Sequence, residues 1–340
     1  MRIPAEELES LLRGLEGTRV VLPEGGGRKG SYVELGPGKH LPKECGDHTR
    51  PSMPPKGIVH RENETLLEYR LRAGGKIELT QVRPEGVDTV LIGTPPCDTA
   101  SFAVLDAALL ENPAEPVYSA RRERLGVIGM ACSRAGRWCF CTSVGLSPHA
   151  TVGADLMIYP EGESFIVRRV TDRLDRVWRL IEAKGERVPE QELERILHRF
   201  AFKVENYIFD APGLTGVLES RFSDPYWEEF ARSCLSCGIC TYLCPTCHCF
   251  DIIDVPADEF SGRRVRTWDT CQFPEFTGET SAHNPRRERA ARQRQRVLHK
   301  FLYFWQNHRM IMCTGCGRCI KYCPVDINIA EAVMRLGGVG

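Results

Sequence analysis

The sequence predicts an α+β protein. A mixed α/β N-terminal domain over residues 1–215 is followed by a smaller, helical, loop-rich domain over 216–340. Two observations carry that division. Strand-like and helix-like patterns alternate through the first part, and two cysteine runs with short turns dominate the second. With 340 residues, 42% hydrophobic and 26% charged, the chain can bury a sizeable core in about two domains.

Residues 4–16 read as a short amphipathic helix with Pro4 in its first turn. Strand-like segments follow at 18–22, 31–35, 76–82 and 87–92. The Pro95-Pro96 break opens a helix from Asp98 to Glu111, and Gly126 to Ala131 reads as a buried strand. Segments 154–159 and 163–168 read as a hairpin around Glu161-Gly162. Helices are expected over 172–184 and 190–205, with Pro189 opening the second. Residues 245–312 form an insert between the cysteine runs that is too long for a plain loop. It is expected to have structure of its own, including a helix over about 285–304.

Gly25 to Gly30 matches G-x-G-x-x-G after a strand, but Ser31-Tyr-Val-Glu-Leu35 reads as another strand. A dinucleotide fingerprint needs a helix there, so a flexible glycine turn is the better reading. No Walker A motif occurs.

The cysteine runs carry the chemistry. Cys234-Leu-Ser-Cys237-Gly-Ile-Cys240-Thr-Tyr-Leu-Cys244-Pro245 and Cys313-Thr-Gly-Cys316-Gly-Arg-Cys319-Ile-Lys-Tyr-Cys323-Pro324 both read C-x-x-C-x-x-C-x-x-x-C-P. Bacterial-type ferredoxins use that spacing to hold [4Fe–4S] clusters, and the fourth cysteine of each run serves the other cluster. The expected ligand sets are therefore Cys234, Cys237, Cys240 and Cys323 for one cluster, and Cys313, Cys316, Cys319 and Cys244 for the other. This makes 216–340 a dicluster ferredoxin-type domain. Structural zinc is the competing reading, but it requires neither the third cysteine nor the C-P ending, and both occur twice here.

A third constellation is Cys132-Ser-Arg-Ala-Gly-Arg-Trp-Cys139-Phe-Cys141. Buried small hydrophobes are the bland account. Three cysteines within a loop rich in Gly and Arg favour a third metal cluster, and Cys97, just past a strand, is available as a fourth ligand. Cys45 stands alone and is expected to be unligated. Cys247, Cys249 and Cys271 have three readings: thiols beside the clusters, a separate metal site with His248 or His283, or inert core. Three sulfurs fall short of a four-thiolate site, which favours the non-ligand readings. Trp268 is expected in the core.

Net charge is zero by residue count, which argues against bulk nucleic-acid or anionic-membrane binding. No secretory pattern and no long apolar stretch is present, so a cytoplasmic protein with reduced thiols, no disulfide framework and no membrane span is expected. Arg286, Arg287, Arg289, Arg292, Arg294 and Arg296 form a basic helical stretch, read as a solvated face or as a docking patch for an acidic partner.

Short segments along nearly the whole chain carry a family resemblance. They are Met53-Pro-Pro-Lys56, Pro96-Cys97-Asp98 with Val104-Leu105-Asp106, Cys132 with Trp138-Cys139-Phe-Cys141, Cys234 to Cys249, Trp268 to Phe273, His283-Asn284, and Cys313 to Pro324. The chain resembles the beta subunit of cytoplasmic sulfhydrogenases, the NAD(P)-linked [NiFe] hydrogenases, and is similar to the dicluster electron-transfer subunit of anaerobic sulfite reductases. The resemblance implies a non-catalytic electron-transfer role. The chain would lie between an FAD- and NAD(P)H-binding subunit and a catalytic metal subunit, either a [NiFe] hydrogenase or a sirohaem sulfite reductase. The resemblance also implies a [4Fe–4S] cluster on Cys97, Cys132, Cys139 and Cys141, which fall on the family's cysteine positions. Pro274 to Ala282 departs from the Gly-rich stretch expected before His283-Asn284, which leaves the catalytic partner open. A free-standing iron–sulfur redox sensor is the alternative from another class, though no output module such as a helix-turn-helix is visible.

Overall fold

The computed structural model describes every residue except Gly27, Arg28, Arg83, Glu85 and Gly340. Among the described residues the strands form two sheets. The larger has the order β1-β9-β8-β7-β6-β2-β3. Its centre is β2 (Thr18–Glu24), β6 (Asp88–Thr94), β7 (Leu125–Met130) and β8 (Leu156–Glu161), all parallel. The edges are antiparallel: β3 (Ser31–Glu34) on one side, β9 (Ser164–Arg169) and β1 (Arg2–Pro4) on the other. Helices cover both faces, as a mostly parallel sheet requires. The helix α1 (Ala5–Arg13) buries Leu8 and Leu12 on one side of the sheet. On the opposite side α2 (Pro96–Leu109) buries Phe102 and Leu105 beside Tyr118 of α3 (Pro116–Arg122). The helix α4 (Asp175–Lys184) packs on α1. The next helix, α5 (Glu190–His198), stops short of the expected 205, and Phe200 turns in to pack edge-on against Tyr159.

The glycine segment leads into β3, a strand rather than a helix. A side chain at Gly30 would strike the Gly25 carbonyl, so this end of the turn closes on itself. The centre of the motif, Gly27 and Arg28, lies outside the described residues.

The second sheet, β10-β11-β4-β5, joins distant parts of the chain. Its strands β4 (Asn63–Leu71) and β5 (Ile77–Gln81) come from the first part. The hairpin β10 (Phe250–Pro256) and β11 (Ser261–Trp268) comes from the insert, and β11 pairs with β4. Of these strands, sequence patterning gives only β5. Arg263, Arg264, Arg266, Asp251 and Asp254 break the apolar alternation that marks a strand. Buried ion pairs do the anchoring instead: Arg121 with Glu64 (2.8 Å) and Arg266 with Glu115 (3.1 Å).

The C-terminal part has its own apolar core, built from α6 (Ala211–Ser220), α7 (Tyr226–Ala231) and a long helical stretch. That stretch comprises α9 (Arg289–Leu298), a π turn at His299–Tyr303 and α10 (Phe304–His308). Phe301, Val297 and Leu298 are fully enclosed there, together with Phe140 from the first part. One fully buried ion pair ties the two parts. Arg318 donates in bidentate fashion to Asp98, one bond at 2.7 Å, and its Nε donates to the Pro51 carbonyl at 3.0 Å.

Candidate metal centre

The two cysteine runs fold alike. Cys234, Ser236, Gly238, Cys240 and Cys244 match Cys313, Gly315, Gly317, Cys319 and Cys323 position by position. Ser236 and Gly315 are left-handed (φ 55° and 64°), as are Gly238 and Gly317 (φ 76° and 73°). The first pair aims a peptide N–H back at sulfur: Ser236 N to Cys234 Sγ and Gly315 N to Cys313 Sγ, both 3.4 Å. The second pair starts the one-turn helices α8 (Ile239–Tyr242) and α11 (Arg318–Lys321), which pack on each other.

That packing sets the cysteines of the two runs side by side. Cys234, Cys237, Cys240 and Cys323 line one small cavity, with Cys319 at its wall. On the other side Cys313 faces Cys319 and Cys244, and Cys316 also faces Cys244. Burial pushes the Cys319 thiol up to about 12. Thiol ligands must be deprotonated to bind metal, so positive charge has to stabilise them. Among the described residues, no three His, Cys, Asp or Glu side chains close on one point as a single ion needs. Four cysteines lining one shared space is the arrangement a cubane needs.

The positive charge comes from the insert. Contrary to a solvated basic face, α9 turns Arg292 and Arg296 inward, each 3% exposed. Arg292 donates to Ser236 Oγ (3.1 Å), Arg289 to the Cys234 carbonyl (2.8 Å), and Gln293 Nε2 to Cys234 Sγ (3.1 Å). Lys300 donates to Cys244 Sγ (3.3 Å) and Thr246 Oγ1 (3.1 Å). The Cys247 thiol and this ammonium hold the Cys244 thiol well below its ordinary range. Arg296 lines the first cavity, and its Nε and Nη2 find no partner. A buried guanidinium with two unpartnered nitrogens, facing Cys240 and Cys319, fits a negatively charged cluster.

The loop 132–141 forms the third thiol group. The Cys141 thiol is pushed up to about 12 by burial and by Cys139 and Cys132 beside it. Gly136 N donates to Cys139 Sγ at 3.3 Å. Cys97, in the first turn of α2, accepts from Arg50 Nη1 at 3.5 Å, and the thiol it faces is Cys316 of the second run. Cys45 is buried against the loop and faces Cys132 and Cys139, a neighbour its isolation in sequence did not reveal. Its signal is the bridge between Gly46 and Arg134, which only the folded chain makes.

This loop abuts the second run. Phe140 N donates to the Gly315 carbonyl at 2.9 Å. A Cβ on Gly315 would lie 2.5 Å from Cys141 N, and one on Gly317 would lie 2.2 Å from the Trp138 carbonyl. Both glycines are left-handed as well, so Gly317→Ala adds a clash to a strain of about 1–3 kcal/mol. The expected outcome is a lower thermal unfolding temperature and faster cluster bleaching in air, measured together by visible absorbance. Gly36→Ala, with only the Glu34 carbonyl near, 4.0 Å away, serves as the control.

The remaining thiols, Cys247, Cys249 and Cys271, lie next to the first run, whereas His283 is exposed. Trp268 is buried, as expected, with its indole N–H donating to the His60 carbonyl at 3.1 Å.

Paired cysteine runs packed on each other inside an enclosed cationic shell define an iron–sulfur protein. The 4Fe–4S dicluster domain family matches residues 233–327. The chain is 30% identical over 285 residues to sulfhydrogenase 2 subunit beta of Pyrococcus furiosus, covering 83% of this chain and 82% of that one. It belongs to the family of sulfhydrogenase beta subunits and is an iron–sulfur electron-transfer protein of that kind. No solved structure matches it. No helix among the described residues is long and apolar enough to cross a membrane.

Proposed function

We propose that the chain wires a multi-subunit cytoplasmic oxidoreductase, with a cluster at each run and a third on Cys97, Cys132, Cys139 and Cys141. Bound there, the clusters supply one-electron carriers. The observation that carries this reading is contact between the sites. The runs interlock through α8 and α11, and the second run's Gly315 touches the loop of the third. Electron tunnelling falls off exponentially with distance, so a relay needs such rigid contact. The chain's task is then to hold, space and insulate the carriers.

The ends of the wire fall to partner subunits. A flavin subunit taking hydride from NAD(P)H and a [NiFe] catalytic subunit fit the family. The exposed apolar residues Ile77, Leu79, Phe250, Ile252 and Phe260 on the second sheet and its β10–β11 turn support a covered surface in an assembly.

Two measurements test the reading. Anaerobic purification of the tagged chain at native expression should retain a flavoprotein and a nickel protein, and a lone chain would refute the wiring role. Separately, Cys132→Ala and Cys97→Ala should each remove roughly four irons, one cubane's worth, while the dicluster signals persist. Loss on Cys45→Ala with none on Cys97→Ala would reassign the fourth ligand.

A further inference from the structure

Cys249 and Cys271 stand side by side at the base of the insert's hairpin, and Cys247 lies two residues before Cys249. Cys249 immediately precedes β10 and Cys271 follows β11, and Asp269 N donates to the Cys249 carbonyl at 3.1 Å. The Cys249 thiol hydrogen-bonds the Cys271 sulfur, and the enclosed Cys247 faces Cys249. Gln272 Nε2 donates to Cys271 Sγ at 3.3 Å, the same kind of amide-to-sulfur bond that Gln293 gives Cys234.

Charge is the second observation. Lys56, Arg296 and Lys300 surround these thiols, each 3% exposed. Among the described residues none of the three has a carboxylate in ion-pair reach, and burying an unpaired cation is costly. Arg296, with Nε and Nη2 unpartnered, faces Cys247 and Cys271 as well as Cys240 and Cys319 of the runs. The clusters of the runs can answer Arg296 and Lys300. Lys56 is different. Its Nζ donates to the Cys247 carbonyl (2.9 Å) and lies over the Trp268 ring (4.2 Å), and the thiol acting on it most strongly is Cys247.

We infer that Cys247, Cys249 and Cys271 hold a further iron–sulfur cluster with three cysteine ligands, set beside the two clusters of the runs. The inference rests on the reading of the chain as an iron–sulfur protein. Three thiolates leave one coordination position for a non-cysteine ligand or for none. Cys244 and Cys240 of the first run adjoin Cys247 and Cys271, so this cluster lies against the relay rather than apart from it.

The test uses the full chain, purified anaerobically, with iron and acid-labile sulfide counted and the reduced protein examined by electron paramagnetic resonance. Cys249→Ala and Cys271→Ala should each lose roughly three or four irons, one cluster's worth, while the signals of the runs remain. Unchanged iron counts would overturn the inference, as would recovery of a disulfide joining the Cys249 and Cys271 peptides from the native chain. A measurement on the unmutated protein guards against misfolded variants. Cys249 and Cys271 should resist iodoacetamide until iron is chelated, and prompt alkylation with the run signals intact would refute the assignment. A wild-type chain without iron would instead refute the proposed function.

Discussion

Cys323→Ala is expected to empty the centre formed by Cys234, Cys237 and Cys240, although Cys323 belongs to the other run. The reason is geometric. Cys323 lines the same cavity as those three cysteines, and Cys244 faces Cys313, Cys316 and Cys319. A cubane deprived of one thiolate exposes an iron to water and is prone to loss, so roughly four irons per chain should go. Loss would also leave Arg296 buried without counter-charge, because its Nε and Nη2 have no partner in the protein. The residual spectrum of Cys323→Ala should therefore match that of Cys237→Ala. That of Cys244→Ala should match that of Cys316→Ala. Low-temperature electron paramagnetic resonance of the reduced variants reads the four spectra. Grouping by run instead of across runs would refute the exchange of ligands.

Asp98→Ala should cost about 3–5 kcal/mol of stability, the usual penalty for stripping one partner from a buried ion pair. Arg318 and Asp98 have side-chain exposures of 1% and 0%, and Tyr32 also donates to Asp98 at 2.9 Å. The variant leaves a guanidinium enclosed at the seam of the two parts, next to Cys97 and the second run. Denaturant unfolding of the anaerobic protein, followed by circular dichroism and cluster absorbance, measures the loss. Replacing both partners together, Asp98→Leu with Arg318→Met, should recover most of it. A double variant as unstable as Asp98→Ala would mean that the hydrogen bonds to Pro51 and Tyr32, not the ion pair, hold the seam.

Local chemistry was legible wherever a motif needs only its own spacing. Each run closes around itself, so C-x-x-C-x-x-C is enough to fold the loop, and the left-handed Gly238, Gly315 and Gly317 show why small residues stand there. The strands of the larger sheet follow from continuous apolar runs such as Leu125–Met130, buried on both faces. Strands β4, β10 and β11 escaped because their stability lies in partners far along the chain. Arg266 reads as a polar interruption until Glu115 is seen beside it, and Glu64 until Arg121 is. The basic stretch of α9 misled in the same way. In sequence it is a charged face, and in the fold Arg292 and Arg296 turn toward the cysteine loops.

The sequence by itself determined the iron–sulfur character of this protein and its α+β class, because cysteine spacing along a short loop and apolar periodicity are both local patterns. Only the tertiary structure decided which cations face which thiols, that the insert shares a sheet with the first part, and that the loop at 132–141 touches the second run. Those facts rest on contacts between segments far apart in the chain, and no local pattern of residue types encodes which distant segment will close against which.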